Sequence, residues 1–317
     1  MVSPGGSAPA PSDDPVIAAA GAPGQLTGHA ATRVALLGAT GELAGLDTGG
    51  TGPTALLVPG FTGSKEDFAP LLTPLAAAGL RAVAIDQRGQ HESAGPDDRT
   101  RYSVDDLATD LVAVGRQLRA EGSGPLHLLG HSFGGLVARA AVLAEPALFD
   151  SLTLLDSGPA ALTGPSTELL AHLAPLLDVG GTDLLASSLG GLWATDPVRA
   201  ATPPETTAFR LEVVRRSHPA GLRGMSQALI GEPDRVAALS ATGVPVLVAH
   251  GVTDDAWTPA AQAGMAGRLG ARYEVIPQAR HCPAVENPDA TVDVLLSFWT
   301  GTPAPAQRDE QTVGARS

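Results

Sequence analysis

Leu126-His127-Leu128-Leu129-Gly130-His131-Ser132-Phe133-Gly134-Gly135-Leu136 carries the decision about the fold of this chain. The run Leu126–Leu129 reads as a buried strand, and Leu136, Ala140 and Leu143 recur at helical spacing beyond the glycines. Gly-x-Ser-x-Gly alone means little in a chain with 38 glycines, because chance supplies such matches. Set between a strand and a helix, it becomes a tight elbow that exposes the serine oxygen, and a Cβ at Gly130 or Gly134 would crowd the turn.

A serine hydroxyl attacks poorly unless a base takes its proton and a third group fixes the tautomer of that base. On an elbow of this kind the partners follow in the order serine, acid, histidine, each on a loop at a strand end. His281, in Ala279-Arg280-His281-Cys282-Pro283 just after the apolar run Tyr273–Ile276, holds the last place. His131 lies inside the elbow, His127 and His250 in or at the end of strands, and His172 and His218 in a long interval without strands. The acid belongs to His250-Gly251-Val252-Thr253-Asp254-Asp255-Ala256-Trp257-Thr258-Pro259. Counting from the glycine favours Asp254 and counting back from the proline favours Asp255. Asp254 is preferred because the glycine anchors the strand end, with Asp255 the alternative. Asp156 also follows a strand. The oxyanion formed in acyl transfer needs fixed N–H donors. They are expected from Phe133, after the serine, and from Phe61 in Val58-Pro59-Gly60-Phe61-Thr62-Gly63-Ser64.

Short apolar runs alternating with helical patterns surround these loops, which predicts a parallel sheet. Arg33–Leu37 and Glu42–Asp47 flank a turn and predict an antiparallel hairpin; Thr54–Val58, Arg81–Asp86, Leu152–Leu155 and Val244–Ala249 read as further strands. Ser64 to Asp67 resembles a capping box opening a helix, and Ser103 caps another. Gly-Ala-Thr-Gly at 38–41 lacks the following helix of a dinucleotide fingerprint and is read as the hairpin turn. Residues 1–30 and 301–317, rich in small and polar residues, read as flexible tails, and the first of them lacks the charged and apolar regions of a signal peptide. A cytoplasmic location is the corresponding expectation.

Of the 317 residues 44% are hydrophobic and 17% charged, enough to bury a sizeable core. With 33 acids against 20 bases the net charge is −13, which repels nucleic-acid backbones, so no nucleic-acid partner is expected. No apolar run reaches the ~18 residues of a membrane span. One cysteine, Cys282, excludes an internal disulfide framework and reads as a packing residue beside His281.

Five motifs in order carry a family resemblance: Pro59-Gly60-Phe61, Asp86-Gln87-Arg88-Gly89, Gly130-His131-Ser132-Phe133-Gly134-Gly135, Gly251-Val252-Thr253-Asp254 and His281-Cys282-Pro283. Over nearly all of 31–300 the chain resembles the α/β-hydrolase superfamily, in its serine-nucleophile, capped, esterase-like form. The resemblance implies an α/β fold with a mostly parallel eight-stranded sheet, helices on both faces and a helical cap. The core would be 31–156 and 244–300, and the cap 157–243. It implies a serine hydrolase acting on an ester, lactone or thioester, with no cofactor, no metal and a small, apolar substrate. Rival chemistries on this fold are C–C bond hydrolysis, cofactor-free perhydrolase or haloperoxidase activity, and ligand reception by a vestigial triad. Trp193 and Met225 of the cap and Trp257 outside it are the candidates for the pocket, beside cap residues that include Leu169, Leu170, Leu173, Leu177, Phe209 and Leu211. Where relatives carry His-Gly this chain has Pro59-Gly60. Gln90-His91-Glu92-Ser93 replaces their small turn, which would put an ionisable histidine near the site entrance.

Overall fold

The computed structural model describes residues 28–196, 200 and 202–301. The tails read into 1–30 and 301–317 therefore lie, apart from residues 28–30 and 301, outside the described residues. Strands β1 (Thr32–Leu37), β2 (Glu42–Asp47), β3 (Thr54–Val58), β4 (Arg81–Ile85), β5 (Leu126–His131), β6 (Ser151–Leu155), β7 (Val246–Gly251) and β8 (Arg272–Ile276) form one sheet. Its order is β1-β2-β4-β3-β5-β6-β7-β8. β1 and β2 make the expected hairpin, β2 joins β4 antiparallel, and all other pairings are parallel.

Parallel neighbours need crossovers, which helices supply. In chain order these are α1 (Ala69–Ala77), α2 (Val104–Glu121), α3 (Phe133–Ala144), α4 (Pro165–Leu173), α5 (Leu176–Thr195) and α6 (Pro204–Arg216). They continue as α7 (Pro219–Gly231), α8 (Val236–Ala241), α9 (Pro259–Leu269), α10 (Pro283–Glu286) and α11 (Pro288–Trp299). Of the cap read from the sequence, Asp67 accepts the Ser64 N–H at 3.2 Å, and a 3-10 turn, Lys65–Phe68, precedes α1.

Side chains alternate across a strand. Leu56, Val58, Val83 and Ile85 thus pack with α2, α3 and α9, while Ala55, Leu57, Ala82 and Ala84 pack with α1 and α11. Both faces are covered, and β3, β5 and β6 are buried at every position. That double burial is why these strands read as continuous apolar runs.

Helices α4 to α8 fill the interval between β6 and β7. α5 packs on α6 and α7 around Leu177, Leu185, Ala186, Val214 and Leu222. Gly181, at φ 63°, breaks α5 after its first turn, and α4 meets α5 at 101°. α8 behaves differently: it packs on α3 and α9, with Val236 and Leu239 in the main core. Among the described residues no single helix is long and apolar enough to cross a membrane. Ser132 and Asp156 directly follow β5 and β6, and Asp254 and His281 lie on the turns after β7 and β8. The carboxyl edge of the sheet, where α/β proteins bind ligands, thus gathers all four.

Candidate active site

Ser132 sits at the turn from β5 into α3 with φ 54° and ψ −121°, a conformation that costs an L-residue energy and persists only when its surroundings enforce it. The Ser132 N–H donates to the Leu155 carbonyl and the Gly135 N–H to the Ser132 carbonyl, each at 2.9 Å. A Cβ at Gly130 would collide with the Gly134 carbonyl, and one at Gly134 with the carbonyls of Val58 and Pro59. The elbow closes because these two residues are glycine.

His281 Nε2 lies 3.0 Å from Ser132 Oγ, and His281 Nδ1 lies 2.7 Å from Asp254 Oδ1. Asp254 is buried and also accepts the Ala256 N–H at Oδ1 (2.9 Å) and Gln262 Nε2–H at Oδ2 (2.6 Å). A carboxylate so surrounded by donors fixes the proton of His281 on Nδ1 and leaves the Nε2 lone pair facing the serine hydroxyl. Asp255 is turned elsewhere. Its carboxylate accepts from Arg280 Nη2 at 3.1 Å, and Arg280 also pairs with Asp196 of the α5 C-terminus at 3.2 Å. Of the two candidate acids, His281 meets Asp254. Gln262 escaped the sequence reading, because a polar residue on a helix signals burial only once the buried face is known.

His131, the residue before the serine, has a second and unforeseen place. Burial, helped by the neighbouring His281 ring, pushes its imidazole down to about 3, so it is neutral. Its Nε2 lies 2.6 Å from the His281 carbonyl oxygen, a geometry in which Nε2–H donates. The loop carrying His281 is thus tied to the elbow carrying Ser132.

The loop after β3 passes so close to the serine that a Cβ at Gly60 would lie 3.0 Å from Ser132 Cβ. Two amides of the Asp86-Gln87-Arg88-Gly89-Gln90 turn grip it from behind: Gln87 Nε2–H donates to the Pro59 carbonyl (2.9 Å) and Gln90 Nε2–H to the Gly60 carbonyl (2.8 Å). With those carbonyls held, the Phe61 peptide is set against the cleft, which Phe61 lines beside Ser132. Phe133 is the first residue of α3, where backbone N–H groups lack helical partners and the helix dipole is positive.

A cleft of about 340 Å³ opens over Ser132 and His281. Leu162, Leu169, Leu170, Leu173, Leu177, Leu185, Leu189 and Leu229 line it together with Phe61, Ala174 and Trp257; Thr62, Ser166 and Asp255 add polar atoms, and among the described residues no basic side chain lines it besides His281. Two of the three pocket candidates lie elsewhere. Met225 is fully buried in the main core, and Trp193 sits one turn past Leu189, the last α5 residue to reach the cleft. Phe209 packs edge-on against His91 (5.8 Å, 81°) and Leu211 against α5. The helices carry apolar residues on several faces, and only some of those faces reach the cleft while others cover one another.

His91 is not at the entrance either. It is buried between Glu66 and Asp86, at 3.5 and 3.6 Å, in a cluster centred on Lys65, the only lysine of the chain. Lys65 Nζ lies 2.7, 2.8 and 3.0 Å from Asp86, Glu92 and Glu66. Burial alone would push the His91 imidazole down, but the negative charges of Asp86 and Glu66 beside it lift it to about 9. Glu66, His91 and Glu92 are residue types that hold metals, yet Lys65 already supplies the compensating cation. A larger cleft of about 450 Å³ is lined by residues that include Thr40, Glu42, Arg88, Asp98 and Arg101, with no serine or histidine among the described lining residues.

The sequence model of the alpha/beta hydrolase family matches residues 55–294. A Variovorax paradoxus (strain S110) protein bearing a carbamate hydrolase name, RutD, is 39% identical over 106 residues, 33% of this chain and 38% of the relative. A Bacillus subtilis (strain 168) protein named as a 2-succinyl-6-hydroxy-2,4-cyclohexadiene-1-carboxylate synthase is 26% identical over 249 residues, 76% of this chain and 88% of the relative. Among solved structures, a thermophilic esterase from Thermogutta terrifontis superposes with a TM-score of 0.71 at 23% identity, covering 85% of this chain and 98% of the esterase.

Proposed function

Because the chain belongs to the alpha/beta hydrolase family, we propose that it is a serine hydrolase that cleaves a carboxylic ester, lactone or thioester of apolar character through an acyl-enzyme on Ser132. One observation carries the reading: the hydrogen-bonded series Ser132–His281–Asp254, with separations of 3.0 and 2.7 Å, at the floor of a leucine-lined cleft.

The chemistry follows from the protonation states. Ser132 Oγ attacks the substrate carbonyl as His281 Nε2 takes its proton, and the Asp254 carboxylate stabilises the imidazolium that forms. The oxyanion of the tetrahedral intermediate lies between the N–H groups of Phe61 and Phe133, which need no reorganisation when charge develops. His281 then returns the proton to the leaving oxygen or sulfur, leaving the acyl group on Ser132. Water, deprotonated by the same His281, reverses the sequence and frees the acid. His131 stays neutral beside this exchange and does not compete for the proton.

The cleft wall argues for the substrate class. Eight leucines and two aromatic residues favour an aliphatic or aryl acyl or alcohol group, and the absence of Lys and Arg from the described lining disfavours a carboxylate-bearing one. The curated relatives are named for differing reactions. A series of p-nitrophenyl acyl esters tests the reading. Hydrolysis that rises from acetyl to medium-chain acyl groups and vanishes in Ser132→Ala supports it; turnover that survives Ser132→Ala contradicts it.

A further inference from the structure

Asp156 has no part in the mechanism above, yet it is one of the most constrained residues in the molecule. It follows β6 with φ 47°, is 0% exposed, and donates its N–H to the Ala249 carbonyl at 2.9 Å. Its Oδ1 accepts the Gly251 N–H at 3.0 Å, while Oδ2 is buried with no hydrogen-bond partner. Carboxyl oxygens of Asp156 and Asp254 and a ring nitrogen of His281 all lie within 4.8 Å of one another. Asp254 already accepts from His281, Gln262 and Ala256, the surroundings of an ionised carboxylate, and its two oxygens offer about four acceptor sites in all. Two buried carboxylates this close cannot both be ionised at moderate cost, and the one with fewer donors keeps the proton.

We propose that Asp156 is a carboxylic acid whose O–H is directed at the Asp254 carboxylate, making it a positioning residue for the acid that orients His281. The inference rests on the serine-hydrolase reading for its consequence, though not for the proton itself. Burial, with the charge of Asp254 beside it and that of Glu286 further off, pushes the Asp156 carboxyl well above the usual carboxylate range. Among the described residues the titratable groups around it are Asp254, His281 and Glu286. A donor from Asp156 places the negative charge of Asp254 and limits its rotation, so the imidazole is presented to Ser132 in one orientation.

Two variants and one spectrum test this. Asp156→Asn imitates the protonated acid: its oxygen can accept the Gly251 N–H, and its N–H₂ can donate toward Asp254. Asp156→Gly removes the carboxyl and tolerates φ 47° without strain. With p-nitrophenyl butyrate we expect Asp156→Gly to lower kcat roughly tenfold or more with little change in KM, and Asp156→Asn to recover most of that loss. The acid limb of the kcat/KM profile should stay within about 0.3 pH units of the parent in Asp156→Asn, because no charge is removed. An ionised Asp156 would instead make that limb fall by about one to two units, the effect of deleting a negative charge at this distance from the imidazole; that result overturns the proposal. Full kcat in Asp156→Gly overturns it too. An infrared difference spectrum of Ser132→Ala against Ser132→Ala/Asp156→Asn reads the proton without turnover. A protonated-carboxyl C=O band lost with Asp156 supports the proposal whether or not Ser132 is the nucleophile, and its absence overturns it.

Discussion

His131 Nε2 lies 2.6 Å from the main-chain carbonyl oxygen of His281, so the residue before the serine holds the backbone of the residue that faces the serine. The bond crosses 150 positions of sequence and joins the β5–α3 elbow to the loop after β8. It needs a proton on Nε2, which in the neutral ring that burial enforces selects the Nε2–H tautomer. Replacing the ring by phenyl keeps volume and removes the donor. His131→Phe should lower kcat about ten- to a hundredfold while KM changes little, since a displacement of ~1 Å at the base is enough for that loss. Steady-state kinetics on one ester at saturating concentration measures it.

The two adjacent aspartates separate cleanly. Asp254→Asn replaces the carboxylate that fixes the His281 tautomer with an amide that can hold the wrong one, and should lower kcat by roughly a thousandfold or more. Asp255→Asn weakens a half-exposed contact to Arg280 at the cleft mouth and should change kcat less than about threefold. Parallel kinetics on the two purified variants, with melting temperatures to verify folding, decides between them.

Leu173 of α4 lines the cleft from above and is only half-buried. Leu173→Trp should take up room in the 340 Å³ cavity without displacing Ser132 or His281, shifting the preferred acyl chain shorter. The chain-length profile of p-nitrophenyl ester hydrolysis reads the shift.

Stability should fall on the alkaline side because of His91. Its folded imidazole titrates at about 9 against an ordinary 6.5, so the folded state binds more protons between those values. The contribution is fully present below about pH 6.5 and is lost as pH rises through about 9; it amounts to a few kcal/mol at most. Glu66 and Glu92, both held at about 2 against an ordinary 4.5, add stability above that ordinary value that is lost as pH falls toward 2. Urea denaturation at a series of pH values should show a decline between pH 7 and 9 that His91→Gln flattens.

Much of this fold is legible in the sequence because burial writes itself plainly there. Sheet strands covered on both faces leave uninterrupted apolar runs, and α9 and α11 each open on a proline in the first turn, where its missing N–H costs nothing. The serine elbow is legible too, since Gly130 and Gly134 are required by contacts within a few residues and with one loop. What the sequence hides are relationships settled by packing. Gln262 and His131 look ordinary until a helix face and a loop bring Asp254 and the His281 carbonyl to them. Met225 and Phe209 resemble pocket residues, yet α7 turns Met225 into the main core and α6 turns Phe209 onto His91. His91 itself reads as an ionisable histidine near the site entrance, because nothing local reveals that Lys65, Glu66 and Asp86 close around it.

The most direct measurement on the central claim is intact-mass and peptide analysis after treatment with a fluorophosphonate, which phosphonylates a serine oxygen only when a neighbouring base activates it. We expect one adduct per chain, carried by the peptide containing Ser132, formed far more slowly in His281→Ala and absent in Ser132→Ala. An adduct on a different residue, or undiminished labelling of Ser132→Ala, would contradict the account.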